Sequence, residues 1–381
     1  MLGIRHMLAA CFLMGTGLVH AQLTAMIAVE PTSKKDSLAV VTAVVESAIS
    51  KATGQTAKVV INEDLTDVMR ATRTGEVDIY IAPPQVAASA LTRGYELIGS
   101  TNPMEQYVLV TRRDSNTVEA LGGRRLYLPQ QDSVYSYMAR GMLNAAGLSF
   151  QNLQVEFARW PSAGLVAVDL GVFDATVVRQ SEWDDWVKAR GRSLHAVSTS
   201  IPVPGGLSVV VRKTLPEKSR EKLARWFATS ANTSGLKPVM ERADMSMYKA
   251  VAELGYFTPT SLPGAAVVNA SEVRKLVAEG AVIVDTRSEK EYKAKRIPQA
   301  VFVPYNEKSL KDVAFDPTKD DFRDLAKLDK DKPTIFSCNG AECWKSYKAS
   351  KVAVAAGFTK VYWFRGGLPE WEATGLQVAK N

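Results

Sequence analysis

The stretch Thr334-Ile-Phe-Ser-Cys-Asn-Gly-Ala-Glu-Cys-Trp-Lys-Ser346 predicts a short apolar strand, a tight polar loop and the start of a helix. The strand ends on Cys338, the loop contains Gly340, and the helix that follows closes at Gly357. Successive backbone N–H groups and a helix N-terminus converge on a loop of this kind, and both favour a thiolate or a bound anion. The stretch is therefore a candidate site for nucleophilic sulfur chemistry.

Three further segments lie around this loop in the sequence. They are Val282-Ile-Val-Asp-Thr-Arg-Ser-Glu-Lys-Glu-Tyr292, Arg296-Ile-Pro-Gln-Ala300 and Val361-Tyr-Trp-Phe-Arg-Gly-Gly-Leu-Pro-Glu-Trp371. In this order, the four segments resemble a rhodanese-like domain over about residues 265–381. The resemblance implies a doubly wound α/β fold and a cysteine that carries persulfide sulfur from a donor such as thiosulfate to an acceptor thiol.

By this resemblance Cys338 is the nucleophile, and Cys343-Trp344 is similar to the CxxxxCW loop of a subgroup of periplasmic rhodanese-like proteins. The loop is longer than is usual in the family, and it is closed by Lys345 instead of an arginine. Lysine keeps the positive charge but lacks the planar fork of a guanidinium. The remaining loop residues, expected to surround the sulfur or an anion, are Asn339, Gly340, Ala341, Glu342, Trp344 and Ser346.

Some residues of this domain are expected to support the loop. Asp285 and Arg287, at the end of a predicted strand, are expected to hold it by charge-assisted hydrogen bonds, or else to form a surface pair. Glu342 should oppose thiolate formation. Trp344 is either a lid over the cysteine or a packed aromatic residue. Gly366-Gly367 is expected to let the chain turn beside the loop.

The two loop cysteines leave three interpretations open. Cys338 takes up a persulfide and Cys343 resolves it, the two form a static disulfide, or they bind a metal ion. A metal ion needs more ligands than two thiolates, and no histidine lies nearby in the sequence. We therefore predict no metal ion and no cofactor.

The first residues of the chain predict export. Residues 1–21 contain Arg5, an apolar run from Met7 to Val19 and a small-residue cleavage motif at Ala21, which is typical of a signal peptide. We therefore predict a periplasmic protein with no membrane span after cleavage. His195 is the only histidine beyond this segment, so histidine-based triads and zinc clusters are poorly supported.

The composition is that of a globular protein. The chain has 381 residues, of which 46% are hydrophobic and 23% charged, and this length is enough for two or three hydrophobic cores. Its formal charge is +7. The charge is compatible with small anionic ligands, but no dense basic run with interleaved aromatic residues indicates nucleic acid.

Strands and helices alternate over residues 22–257, which favours an α/β fold. The predicted strands are Leu23–Val29, Ala57–Ile61, Val77–Ala82, Tyr107–Thr111, Arg125–Leu128, Gly171–Val178 and Gly206–Val211, and the predicted helices are Leu38–Lys51, Asp64–Thr74, Ser133–Ala146 and Pro238–Tyr248.

This order resembles type 2 periplasmic binding proteins, in particular their phosphonate-binding branch. The segments that carry the resemblance are Glu30-Pro-Thr-Ser33, Arg73-Thr-Gly-Glu-Val-Asp78, Arg113-Asp-Ser115, Gln131-Asp-Ser-Val-Tyr-Ser136 and Gly171-Val-Phe-Asp-Ala175. The chain is thus expected to contain a two-lobed α/β binding-protein-like domain (residues 22–257), a linker (258–264) and the rhodanese-like α/β domain (265–381). Lobe 1 would comprise about residues 22–105 and 205–257, and lobe 2 about residues 106–204.

If the resemblance holds, the cleft between the lobes binds a small anionic or sulfur-containing solute. The candidate ligand-binding residues are Thr32, Ser33, Ser133, Tyr135, Ser136 and Arg179. Ser133 is alternatively a helix cap, and Thr32 and Ser33 a turn.

The sequence thus supports three functions. The first is sulfur transfer through a Cys338 persulfide, fused to a solute-binding module. The second is solute binding or sensing without turnover, with a disulfide-locked second domain. The third is thiol–disulfide exchange by Cys338 and Cys343.

Overall fold

The computed structural model describes residues 22–30, 36–112, 116–158, 160–191, 193–234, 236–239 and 244–380. The predicted signal peptide, Thr32, Ser33 and the segment 113–115 lie outside the described residues. Among the helices of the described segments, none is both long and apolar enough to cross a membrane.

The first domain alternates strands and helices, as its sequence predicts. In chain order its elements are β1 (Leu23–Ala28), α1 (Asp36–Thr53), β2 (Ala57–Asn62), α2 (Leu65–Thr74), β3 (Ile79–Ala82), α3 (Pro84–Leu91), β4 (Tyr95–Glu105), β5 (Tyr107–Arg112), β6 (Arg125–Leu128), α4 (Val134–Ala145), β7 (Gln154–Phe157), α5 (Ala163–Asp169), β8 (Ala175–Arg179), α6 (Gln180–Arg190), β9 (Leu194–Thr199), β10 (Val203–Arg212), α7 (Glu217–Ser230) and α8 (Met245–Glu253).

Two five-stranded sheets organise this domain. One has the order β2-β1-β3-β10-β4, and the other has the order β7-β6-β8-β5-β9. In each sheet one strand, β10 in the first and β5 in the second, comes from the other half of the domain and runs antiparallel to both of its neighbours. The remaining pairings are parallel. The chain leaves the first sheet after β4 and returns to it as β10, which gives the two-lobed architecture that the sequence predicts.

Local sequence signals explain why α2 has its observed bounds. The Asp64 side chain accepts hydrogen bonds from the backbone N–H groups of Thr66 and Asp67 and so caps the first turn. Gly75 ends the helix in the left-handed region, at φ 65°. Because Leu65, Val68 and other apolar residues of α2 are buried on one face, its polar face, which carries Arg70 and Arg73, is turned away from the core.

Several elements differ from the sequence predictions. The strand expected from Gly171 begins at Ala175, because Gly171 forms a left-handed turn after α5. The helix expected from Pro238 is described from Met245 onward. Helix α3 was not predicted at all, although Pro84 at its first turn is a favoured helix start.

The second domain is built on one parallel sheet. Its elements are β11 (Ala265–Val267), α9 (Ala270–Ala278), β12 (Val282–Asp285), α10 (Glu289–Ala294), β13 (Val301–Phe302), β14 (Thr334–Ser337), α11 (Trp344–Ala355), β15 (Val361–Phe364) and α12 (Gly367–Ala373). The strand order is β11-β15-β14-β12-β13, and every pairing is parallel. The predicted strand 334–337 is therefore the buried centre of the sheet, where loops at strand ends converge.

Candidate functional site

The cysteine loop joins the central strand β14 to helix α11. Cys338 follows β14 directly, Gly340 turns the chain at φ 89°, and Cys343 stands at the N-cap of α11. Gly367 makes the opposite wall of the loop: its φ is 57°, and a Cβ there would lie 2.1 Å from the carbonyl oxygen of Cys338. Only glycine therefore fits at this position, which gives a physical reason for the expected Gly366-Gly367 turn.

Cys338 and Cys343 are joined by a disulfide bond, with their Cα atoms 6.1 Å apart. Both are buried, at 2% and 6% exposure. A disulfide agrees with two of the three interpretations. It forms when Cys343 resolves a persulfide on Cys338, and it is also the state expected of a static disulfide. In the part of the chain that the structure describes, no group of three or more histidine, cysteine or acidic residues could hold a metal ion.

Asp285 and Arg287 contact the loop through Asn339. The Arg287 guanidinium donates to both oxygens of Asp285, at 2.9 and 2.6 Å. It also donates to Asn339 Oδ1 at 3.2 Å, and Asn339 Nδ2 donates in turn to Glu291 Oε1 at 2.6 Å. The geometry is that of the expected supporting pair and is unlike a surface pair, because Asp285 and Arg287 are buried.

Glu291 is a member of this network that the sequence analysis missed. It closes a capping box with Ser288 at the start of α10, and this Ser-x-x-Glu spacing is the signal that could have found it. Burial alone would raise its pKa, but hydrogen bonds from Ser288 and the charge of Arg70 outweigh burial and lower the pKa of Glu291. The network therefore presents an ionised carboxylate behind Asn339.

The end of the first domain and the start of the linker pack directly over the cysteine loop. Thr258 donates from its backbone and its hydroxyl to the carbonyl oxygen of Ala341, at 2.8 and 2.7 Å. Trp344 Nε1 donates to the carbonyl oxygen of Tyr256 at 2.7 Å, and its ring packs edge-on against Tyr347. Trp344 is thus a packed aromatic residue, although one side of it reaches the cavity described below.

Glu342 is paired across this interface. Its carboxylate accepts a hydrogen bond from Arg93 of the first domain, and Arg73 Nη1 lies 4.0 Å from it. We expected the charge of Glu342 to oppose thiolate formation, but two arginines 249 or more residues away in sequence partly neutralise it. Neither arginine carries a local sequence signal for this contact.

A cavity of about 540 Å³ separates α2 from the cysteine loop. It touches both cysteines, and Lys345 lines it without an ion pair or hydrogen bond to any residue the structure describes. Burial lowers the pKa of Lys345, and the nearby charges of Arg70 and Arg73 lower it further against the opposing effect of Glu291 and Glu307. Ser346 does not reach this cavity: it is buried, and its hydroxyl accepts from Trp363 Nε1 at 3.1 Å.

A second cavity, of about 970 Å³, lies between the two lobes of the first domain. Tyr135 and Arg179 line it as expected, together with Glu30 and Trp160. The Tyr135 hydroxyl donates to Glu182 Oε1 at 3.2 Å, and the Arg179 guanidinium lies 5.6 Å from the centre of the Tyr135 ring.

Ser133 and Ser136 are fully buried and do not line this cleft. Ser133 caps α4 by accepting from the backbone N–H of Ser136, and its hydroxyl donates to the carbonyl oxygen of Gln130 at 2.8 Å. The next donor of the helix start, the backbone N–H of Val134, is taken by Glu30 Oε1 at 3.0 Å. Burial raises the pKa of Glu30 to about 7. A carboxylate of the chain itself thus occupies the helix N-terminus at which an anionic solute was expected.

The sequence matches two protein families in succession. Residues 27–256 match the periplasmic substrate-binding proteins of phosphonate ABC transporters, and residues 269–374 match the rhodanese-like domain. These ranges correspond to the two domains of the structure.

Individual proteins are similar to parts of this chain. The thiosulfate sulfurtransferase GlpE of Pseudomonas savastanoi is 30% identical over 103 residues, which are 27% of this chain and 83% of that protein. An HTH-type transcriptional regulator of Mycobacterium tuberculosis is 30% identical over 116 residues, 30% of this chain, and the match spans only 45% of the regulator. The solved structure of PhnD1 from Prochlorococcus marinus with methylphosphonate is 16% identical, with a TM-score of 0.49, over 61% of this chain and 97% of that one.

Proposed function

Since the chain belongs to the phosphonate-type periplasmic substrate-binding proteins and, through its second domain, to the rhodanese-like proteins, we propose that it transfers sulfane sulfur through Cys338. The observation that carries the proposal is the Cys338–Cys343 disulfide beside Lys345, a cation that has no partner among the described residues. The bond between the two sulfurs supports a role for Cys343 as the thiol that attacks Cys338 and displaces the sulfur that Cys338 binds. The substrate-binding family and the predicted signal peptide support a periplasmic location.

The proposed cycle begins with reduction of the disulfide by an external dithiol, which is itself oxidised. The Cys338 thiolate then attacks the outer sulfur of thiosulfate, the sulfur–sulfur bond of thiosulfate breaks, and sulfite leaves with the bonding electrons. Lys345 and the loop N–H groups stabilise the departing anion. The product is a persulfide on Cys338.

Cys343 completes the cycle by attacking the Cys338 sulfur. The bond between Cys338 and the sulfane sulfur breaks, sulfide leaves with its electrons, and the Cys338–Cys343 disulfide forms again. The sulfane sulfur is reduced to sulfide and the two thiols are oxidised, so one external dithiol is consumed for each sulfur released. An external acceptor thiol can instead take the sulfur directly from the persulfide.

The experiment is intact mass spectrometry of the chain without the predicted signal peptide, which contains the third cysteine, Cys11. The protein is reduced, the reductant is removed and thiosulfate is added. Cys343→Ser should gain one sulfur, Cys338→Ser should gain none, and the wild type should return to the disulfide with release of sulfide. If Cys343→Ser gains no sulfur, the transfer function is wrong, and the disulfide is either structural or a thiol–disulfide exchange pair. The reduction potential of the disulfide then separates those two functions.

The lobe cleft favours a second function, the binding of a small solute. Its volume and its lining by Tyr107, Tyr135, Trp160 and Arg179 suit an anion that carries an apolar part. Methylphosphonate and methanesulfonate are suitable probes, with thermal stabilisation of the wild type and of Arg179→Gln as the readout. Stabilisation that disappears in Arg179→Gln would support a solute site, and no stabilisation by either probe would contradict an anion site of this kind.

A further inference from the structure

The charged residues that line the cavity between α2 and the cysteine loop are nearly all paired. The paired cations are Arg287 with Asp285, Lys311 with Asp132, Lys290 with Glu76, and Arg70 with Asp67, Glu76 and Glu291. The lining acids are engaged as well: Glu307 pairs with Lys348, Glu342 pairs with Arg93, and Asp64 caps α2. Among the described residues, the two other lining cations form no hydrogen bond to a carboxylate.

These cations are Arg73, from the first domain, and Lys345, from the second. The Arg73 side chain is only 8% exposed, and its Nε has no hydrogen-bond partner among the described residues. Its nearest carboxylate, Glu342, is 4.0 Å away and is already bonded to Arg93. Buried guanidinium groups are normally hydrogen-bonded to an acceptor. Arg73 has only the long contact with Glu342, and Lys345 has no partner among the described residues, so both cations can bind an anion in the cavity that they line.

We propose that this cavity is a composite oxyanion site, in which Arg73 and Lys345 together hold the sulfonate end of a thiosulfonate-type donor next to Cys338. The first domain thereby supplies the guanidinium that the cysteine loop lacks, because the loop itself is closed by a lysine. A guanidinium can grip two oxygens of a sulfonate at once, which the Lys345 ammonium cannot do. This inference names the donor class and therefore rests on the sulfur-transfer function proposed above.

The same geometry assigns a role to the contact between the domains. Arg93 binds Glu342 and so fixes the cysteine loop against the first domain. Arg73 lies farther from Glu342 and lines the cavity, where it can contact an anion. A rhodanese-like domain separated from the first domain would keep Cys338 and Lys345 but lose Arg73. Donor binding by the full chain should therefore depend on a residue outside the second domain.

The test measures binding without chemistry. In the chain without the predicted signal peptide, which contains Cys11, the substitutions Cys338→Ser and Cys343→Ser leave no thiol to react. Thiosulfate affinity is then measured by isothermal titration calorimetry at low ionic strength. Adding Arg73→Gln should weaken binding on the order of 10-fold or more, which is typical for the loss of a charge-assisted hydrogen bond. Arg73→Lys should restore part of the affinity, and this variant also covers the case in which Arg73→Gln folds poorly. The matched control is Arg220→Gln, an arginine of the same domain that is paired with Glu96 and lies away from this cavity.

Two outcomes overturn the inference: thiosulfate does not bind to the doubly substituted chain, or Arg73→Gln binds it as tightly as Arg220→Gln does. The sulfur-transfer function is judged separately by persulfide formation on Cys343→Ser. If that persulfide forms normally and Arg73 has no effect on affinity, the composite site is wrong and sulfur transfer stands. If thiosulfate binds in an Arg73-dependent way and no persulfide forms, the site is correct and sulfur transfer is wrong.

Discussion

Two of the cavities in the described part of the chain lie at the start of a helix, and the charged side chains at these two helix starts differ. In the first domain, α4 begins at the lobe cleft, and the chain's own Glu30 binds its N-terminal backbone N–H. In the second domain, α11 begins at the cysteine loop, and Lys345 in its first turn has no partner among the described residues. One helix start is thus occupied by a carboxyl group of the chain itself, while the other carries a lysine without a partner among the described residues. A helix N-terminus alone therefore does not identify an anion site; the charges that converge on it do.

The largest effect should come from removing the resolving cysteine of the second site. Cys343→Ser should leave the persulfide on Cys338 and reduce sulfide release under excess external dithiol by at least on the order of 100-fold, because the intramolecular thiol acts at a high effective concentration. The measurement is single-turnover release of sulfide from thiosulfate. Sulfide release equal to that of the wild type would mean that an external thiol unloads Cys338 and that Cys343 has no part in the cycle.

The largest expected effect on stability comes from Gly367, which lies against the backbone of the cysteine loop. Gly367→Ala should destabilise the second domain by roughly 3 kcal/mol, because the added Cβ meets the backbone of Cys338 and the residue has a positive φ. The control is Gly357→Ala, which also has a positive φ but has nothing within 4 Å of the added Cβ. It should cost only about 1 kcal/mol. Urea unfolding of both variants measures the difference in the free energy of unfolding. Equal decreases would mean that the backbone at Cys338 shifts to accommodate the added methyl group.

The filled helix start of the first domain should make stability depend on pH. The pKa of Glu30 is raised to about 7 from its usual value of 4.5, so its contribution to folding is fully present below about pH 4.5 and is lost as the pH rises through about 7. The full loss is at most about 3 kcal/mol. Glu30→Gln should remove this part of the pH dependence, because the amide does not ionise.

The measurement for Glu30 is the free energy of unfolding of the first domain, from urea titrations at pH 5 and pH 8. Glu279→Gln, at an exposed glutamate of the second domain, is the control and should keep the wild-type difference. If Glu30→Gln also keeps that difference, then Glu30 is not the titrating group. The comparison between the two helix starts would then lose its electrostatic basis.

The sequence predicted the parts of the site that depend on neighbouring residues. The strand–cysteine–helix unit follows from local periodicity and Gly357, and the Asp285–Arg287 support follows from a short motif beside it. The surroundings of Arg73, Arg93 and Glu30 could not be predicted, because each of these side chains lies near residues that only the tertiary fold brings together. Arg93 and Glu342, for example, are 249 positions apart. Glu342 therefore looked unfavourable in sequence and is compensated in the structure.

The smallest expected effect separates buried from exposed contacts between the domains. Lys290 pairs with Glu76 at 2.9 Å, but the Lys290 side chain is 75% exposed, so Lys290→Gln should change stability by less than about 0.5 kcal/mol. Arg93→Gln should cost about 1–2 kcal/mol, because it removes the direct partner of a Glu342 side chain that is only 10% exposed. Thermal unfolding of both variants at low and high salt measures this contrast. If Lys290→Gln is the more destabilising of the two, the contact between the domains depends on exposed charges and not on the Arg93–Glu342 pair. The role that we assign to this pair, which is to fix the cysteine loop against the domain that carries Arg73, would then be wrong.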